Sequence, residues 1–164
     1  MEIDNTIADH RVRVMYPTGI KADYSYAAGH FTVDKRPVVP LDDNSKEYFL
    51  NMQTLPQQTF VDVTDEEYGV AFINNCLTEY EFKNDGKGTL ALTLLKSVKN
   101  TICTAKRLNN EYPEQNGGQC FGQHTYEYAI YPHSGNWEDA NVYGEAQRFN
   151  VIPAAMQTAP HTYG

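Results

Sequence analysis

A mostly-β, antiparallel fold with one short helix is what this sequence predicts, and three features predict it. The stretch Thr89-Leu-Ala-Leu-Thr-Leu-Leu95 alternates strictly, with Leu90, Leu92 and Leu94 on one side and Thr89, Ala91, Thr93 and Leu95 on the other. Short alternating runs joined by turn residues recur between Thr59 and Val98. Only one stretch, Trp137 to Arg148, carries helix signals.

The elements follow in order. Asp9 to Pro17 alternates Arg11 and Arg13 with Val12 and Val14, a strand with one wet face closed by a turn at Tyr16-Pro-Thr-Gly19. Ala22 to Val33 reads as a second extended stretch containing Tyr24, Tyr26 and Phe31, with Gly29 as a bulge or kink. From Asp34 to Gln58 the pattern dissolves into an irregular crossing segment punctuated by Pro37, Pro40 and Pro56, with acids at Asp42 and Asp43. Thr59 to Thr64 is a short strand, Asp65 to Gly69 a turn and Val70 to Asn74 its antiparallel partner. Leu77 to Phe82 alternates again, and the Asn84-Asp-Gly86 turn leads into Thr89–Val98, whose two apolar faces predict an inner strand. Four strands joined this way predict a meander. Asn100 to Gly122 is a second long polar segment. Thr125 to Tyr131 is a strand with Tyr126, Tyr128 and Ile130 on one face, broken by Pro132-His-Ser-Gly-Asn136. Asn136 then stands as N-cap, with Glu138 and Asp139 in the first turn of the helix. Val151 to Gly164, with Pro153 and Pro160 and without charge, reads as a stretch that continues into further sequence.

Composition narrows the function. A chain of 164 residues with 41% hydrophobic residues can build one buried core. The net charge of −8 argues against nucleic acid as a partner, because phosphate binding needs clustered Lys and Arg. Lys96, Lys99, Lys106 and Arg107 are diluted by polar residues and read as a solvated loop. No apolar run approaches membrane-spanning length, and Met1-Glu-Ile-Asp-Asn-Thr6 lacks the basic start and apolar centre of a signal peptide. Cys76, Cys103 and Cys120 are odd in number and outside CxxC spacing, which with the absence of a glycosylation sequon favours buried free thiols in the cytoplasm.

Candidate chemistry is thin. Asp62, Asp65, Glu66 and Glu67 form the densest acidic group, but neighbouring acids in a hairpin point to different sides, and a solvated turn is the favoured reading. Cys120 and His124 show half a zinc-site spacing without a second half. His133 is a conceivable ligand or base, with a hydrogen-bonded turn histidine preferred. Tyr24, Tyr26, Tyr126, Tyr128 and Tyr131 on strands are able in principle to stack on sugars, although tyrosine filling a half-buried β face is the commoner use. No Ser-His-Asp order, phosphate loop or nucleophile elbow is present, so no catalytic residue and no metal ligand is assigned, and substrate-binding residues stay unassigned.

Several phrases together carry a family resemblance. They are Asp9-His-Arg-Val-Arg-Val-Met-Tyr-Pro-Thr-Gly19, Phe60-Val-Asp-Val-Thr-Asp65, Gly69-Val-Ala-Phe-Ile-Asn74, Glu79-Tyr80, Gly88–Val98, Tyr128-Ala-Ile-Tyr-Pro-His-Ser-Gly135 and Glu145-Ala-Gln-Arg-Phe-Asn150. In order and spacing they resemble the C-terminal β-domain of family 38 glycoside hydrolases, the α-mannosidases, particularly the bacterial branch that includes mannosylglycerate hydrolase. Asn100–Gly122 departs from that pattern, and Cys120 has no family role.

The resemblance implies that residues 1–164 form a single antiparallel β-sandwich domain, supersandwich-like and galactose-mutarotase-like, with one short helix near 137–148. It implies a portion of a larger retaining α-mannosidase that lacks the catalytic α/β barrel. That N-terminal barrel would be the partner, holding the zinc, the nucleophile and the acid/base carboxylate for a mannoside substrate. This region would support the substrate cleft without cofactor or catalytic residue of its own. The alternative is a free-standing carbohydrate-binding module. An oligomer stays open.

Overall fold

The structure is a computed structural model, and it describes residues 1–38, 54–65, 67–83, 85–98 and 116–158. Two antiparallel sheets face each other. The five-stranded sheet has the order β11-β7-β6-β3-β4, built from β3 (Tyr24–Ala28), β4 (Val33–Pro37), β6 (Phe60–Thr64), β7 (Tyr68–Asn74) and β11 (Tyr128–Ser134). The four-stranded sheet has the order β2-β9-β8-β5, from β2 (His10–Pro17), β5 (Leu55–Pro56), β8 (Glu79–Lys83) and β9 (Thr89–Ser97). A separate ribbon pairs β1 (Glu2–Asn5) with β10 (Gly122–Thr125), and α1 (Val142–Asn150) follows β11.

Alternation within each strand explains the layering. Val61, Val63, Val70 and Phe72 of one sheet meet Tyr80, Phe82, Leu90, Leu92 and Leu94 of the other in the main core. Their neighbours in sequence, Phe60, Ala71 and Ile73, face outward into a second cluster closed by Val142 and Ala146 of α1. The fold is thus a sandwich with a helix on one outer face. Inside it the Ser25 and Tyr80 hydroxyls are buried 2.9 Å apart. Tyr80→Phe strands the Ser25 hydroxyl, and urea unfolding is expected to show a loss of about 1–2 kcal/mol.

The inner position expected for Thr89–Val98 is observed, since β9 lies between β2 and β8. Its second face is covered by charge rather than by another layer. Arg13 pairs with Glu81, and Arg11 with Glu79 at 3.2 Å, each pair crossing β9 diagonally from β2 to β8. Thr93 donates to Glu79 at 2.8 Å and Lys96 lies 3.5 Å from it. The aliphatic stems of these long side chains can cover apolar surface while their heads pair, which suits the burial of Ala91 on that face.

Several expectations are corrected. The four central strands are not one meander. β6–β7 is a hairpin of the five-stranded sheet and β8–β9 a hairpin of the four-stranded one. The chain changes sheets after Asn74, whose side-chain oxygen accepts the Leu77 N–H at 3.0 Å, with Cys76 in the left-handed region at φ 61°. Ala22–Val33 is not one extended stretch. Gly29 N–H bonds Thr32 O at 2.8 Å, closing a turn in which Phe31 (φ 64°) is fully exposed, and Val33–Pro37 returns as a paired strand inside the segment expected to be irregular. Residues 39–53 of that segment and most of Asn100–Gly122, including Cys103, lie outside the described residues.

Thr125–Tyr131 splits into β10 and β11. The strand also runs through Pro132 to Ser134, because β11 is an edge strand, where a missing N–H is tolerated. The helix starts at Val142 rather than Trp137. Asn141 adopts a left-handed conformation (φ 50°), while Asn136 caps the preceding turn by accepting the N–H groups of Glu138 at 2.8 Å and Asp139 at 2.9 Å. Cys76 is an exposed free thiol rather than a buried one, and Cys120 is half-buried and free.

Candidate functional site: a buried aspartate–histidine pair

Among the described residues, the ion-pair partners whose side chains are both almost fully buried are Asp62 and His133. Asp62 sits mid-strand in β6 between the fully buried Val61 and Val63, and alternation turns it to the outer face with Phe60. His133 stands on β11, opposite Gly69 of β7. β7 separates the two strands. The ring therefore has to lie across β7 to reach the carboxylate, and Gly69 makes this possible. A Cβ there would stand 2.1 Å from His133 Cε1 and 2.6 Å from Nε2.

The contact is close: His133 Nε2 lies 2.7 Å from Asp62 Oδ1, with the two side chains 3% and 0% exposed. Asp62 Oδ2 and His133 Nδ1 are buried without a hydrogen-bond partner among the described residues. Burial pushes the Asp62 carboxyl above its ordinary range, opposed by the hydrogen bond and charge of His133. Burial also works against a charged His133. The hydrogen bond and charge of Asp62, with the backbone of Ser134 and Gly135, outweigh it and hold the ring above its ordinary value. The Tyr131 ring lies 5.7 Å away, and Gly135, which ends the strand, is tied to the β6–β7 hairpin by its N–H to Glu67 O at 3.0 Å.

A histidine oriented by a carboxylate is two-thirds of a hydrolytic triad. This one is sealed from solvent, so it cannot meet a substrate as a general base without opening. What it does in the fold is tie β11 to β6.

The other sequence candidates are not brought together. Asp65 accepts the N–H groups of Glu67 and Tyr68 at 3.2 and 2.9 Å and so shapes its turn, while Glu66 lies outside the described residues. His124 Nε2 lies 2.8 Å from the Cys120 carbonyl, not from its thiol. Among the described residues no group of three or more His, Cys, Asp or Glu side chains could hold a metal ion. The strand tyrosines have local tasks. Lys35 Nζ sits 4.1 Å from the Tyr24 ring centroid, Tyr26 lies against Trp137 and Tyr126 stacks on His124. Tyr128 packs on Phe72, and the Tyr131 hydroxyl donates to Ala140 O at 3.2 Å. The pairing of Asp62 with His133 was not foreseen, although an acid in the middle of Phe-Val-Asp-Val was the available signal.

Comparison with known proteins gives one family. Residues 1–101 match the model for the glycosyl hydrolases family 38 C-terminal domain, so Asp62 and Gly69 lie inside the match and His133 beyond it. A protein of Halalkalibacterium halodurans named "Putative mannosylglycerate hydrolase" is 32% identical over 162 residues, 96% of this chain and 16% of that protein. An alpha-mannosidase from Enterococcus faecalis V583 superposes with a TM-score of 0.70 at 30% identity, over 88% of this chain and 15% of that one. A second structure, of a family 38 glycosyl hydrolase from Enterococcus faecalis, gives 0.70 at 31% identity over the same shares. The chain thus spans 15–16% of the length of these relatives. Among the described residues no helix is long and apolar enough to cross a membrane.

Proposed function

Because this chain belongs to the family 38 glycosyl hydrolase C-terminal domains, we propose that residues 1–164 are one non-catalytic β-sandwich domain of a larger retaining α-mannosidase. The observation that carries this is the family match together with relatives of which the chain covers only 15–16%. The sealed pair and the dispersed acids support a scaffold role, since neither presents a carboxylate couple to a glycosidic bond. The nucleophile, the acid/base residue and the zinc belong to a separate N-terminal barrel, and the residues described in this chain do not fit a zinc site. The substrate is a terminal α-mannoside, with mannosylglycerate suggested by the name of one relative. The free Cys76 and Cys120 support a cytoplasmic setting.

Deleting residues 1–164 from the full-length protein tests this reading. Loss of folding or of most α-mannoside turnover is expected, and a deletion protein with full activity would overturn it.

A second reading, a carbohydrate-binding module, draws on Tyr24, which is 42% exposed on the outer face beside Tyr26. Calorimetric titration with mannose and mannobiose decides it: saturable binding lost in Tyr24→Ala supports this reading, and silence removes it.

A further inference from the structure

We propose that the Asp62–His133 pair is a proton-dependent clasp that holds β11 and the turn leading to α1 against the five-stranded sheet, closed while the ring carries its proton and loosened when it does not.

The placement supports this. Among the described residues β11 is an edge strand whose backbone ladder reaches only β7. His133 adds a side-chain link one strand further in, to β6, passing over the one residue of β7 that has no side chain to block it. The same end of β11 carries the following turn. Gly135 is bonded to Glu67 O, Thr64 Oγ1 lies 2.9 Å from Gly135 O, and Tyr131 bonds Ala140 O at the far side of the turn. α1 then rests on β6 and β7 through the small cluster of Val142 and Ala146 with Phe60, Ala71 and Ile73. Releasing the ring therefore loosens strand end, turn and helix as a connected unit.

The groups that face the ring can be named element by element. β6 presents Asp62, its charged neighbour. β7 presents Gly69, which has nothing to titrate. The turn presents the backbone of Ser134 and Gly135, and the ring's own strand presents Tyr131. A protonated ring offers N–H groups on both sides, to Asp62 and toward backbone acceptors. A neutral ring keeping its Nε2–H on Asp62 turns Nδ1 into an acceptor with no donor to meet, and leaves a buried carboxylate without a cation.

The direction with pH follows from linkage. Both groups are raised in the fold, His133 above 6.5 and Asp62 above 3.8, so the folded state holds both protons more tightly than the unfolded chain. The stabilisation from His133 is complete below 6.5 and is lost as pH rises through its raised value. The Asp62 contribution has the same sign in an acid window that begins near 3.8. The clasp thus opens on the alkaline side.

Amide hydrogen exchange followed by NMR, from about pH 6 to about pH 9 and corrected for the intrinsic rate, tests this. Protection in β11 and α1 is expected to fall at least about tenfold more than protection in β9. Equal changes in all three elements would overturn the proposal. In the double variant Asp62→Asn with His133→Gln, which keeps a hydrogen-bonding pair without titratable groups, the differential step should vanish, and its persistence would also overturn the proposal. Should that variant not fold, the His133 ring signals of the unaltered protein decide. A titration midpoint above 6.5 that coincides with the exchange step is expected. A midpoint at or below 6.5, or one away from the step, contradicts the clasp.

Discussion

Gly69→Ala is expected to destabilise the fold by about 3 kcal/mol, although alanine is ordinarily the better strand residue at a glycine position. The new Cβ would stand 2.1 Å from the His133 ring, a distance that no small adjustment accommodates. The ring must leave, and with it goes the partner of a fully buried carboxylate. Overpacking costs about 1–3 kcal/mol and breaking a buried ion pair about 3–5 kcal/mol, so a relaxed structure should fall near 3. The matched control is Gly117→Ala, where an added Cβ meets nothing within 4 Å, and its effect should stay within about 0.5 kcal/mol. Urea unfolding of Gly69→Ala, His133→Ala and the double variant separates the causes. If the glycine serves the ring, its substitution loses most of its cost once His133 is alanine. Costs that simply add would assign Gly69 some other task.

Leu92→Ala is the other large effect, expected at about 2–5 kcal/mol. Leu92 is fully buried, stands on an inner strand and packs in the core between both sheets. Truncation there removes contacts from two layers at once, and the ladders on either side of β9 limit collapse around the gap. Met15→Ala on the neighbouring strand β2, 45% exposed, should cost about 0.5 kcal/mol or less in the same urea experiment. Comparable losses at the two positions would contradict the assignment of β9 as the core's central strand. A domain of this kind has about 5–15 kcal/mol in total, so the Leu92 variant is expected to be marginal at working temperature.

β9 was legible in the sequence because its signal is local. Leucines at every second position with small apolar residues between them define a strand wanted on both faces, and no knowledge of partners is needed. The β6–β7 hairpin was legible for the same reason, since the Asp65–Gly69 turn sits between two apolar runs. What alternation cannot encode is which sheet a strand joins. The β6–β7 and β8–β9 hairpins look alike in sequence, and the connection that switches sheets between them carries the Asn74–Leu77 hydrogen bond and a left-handed Cys76, neither of which alternation encodes. Phe31 misled in the opposite way: an aromatic residue with high strand propensity occupies a tight turn at positive φ. The sandwich architecture came from the family resemblance rather than from periodicity.

The buried pair shows the same limit at the level of chemistry. Asp62 groups with Asp65, Glu66 and Glu67 along the chain, yet the strand carries it to the opposite environment from the turn. Its partner lies 71 residues away, two residues beyond Tyr131, where the sequence pattern ends that strand. Gly69, read as a turn residue, owes its place to a ring that crosses from β11. A charged residue inside an apolar run and a glycine in a paired strand are each weak signals. Only the register of three adjacent strands joins them into one feature.

The scaffold assignment meets its most direct test in the turnover of an aryl α-mannoside by the purified chain, with zinc and with a chelator. Release no faster than in buffer, under both conditions, is the expected result. Saturable release abolished by the chelator would contradict it and place catalytic groups within residues 1–164.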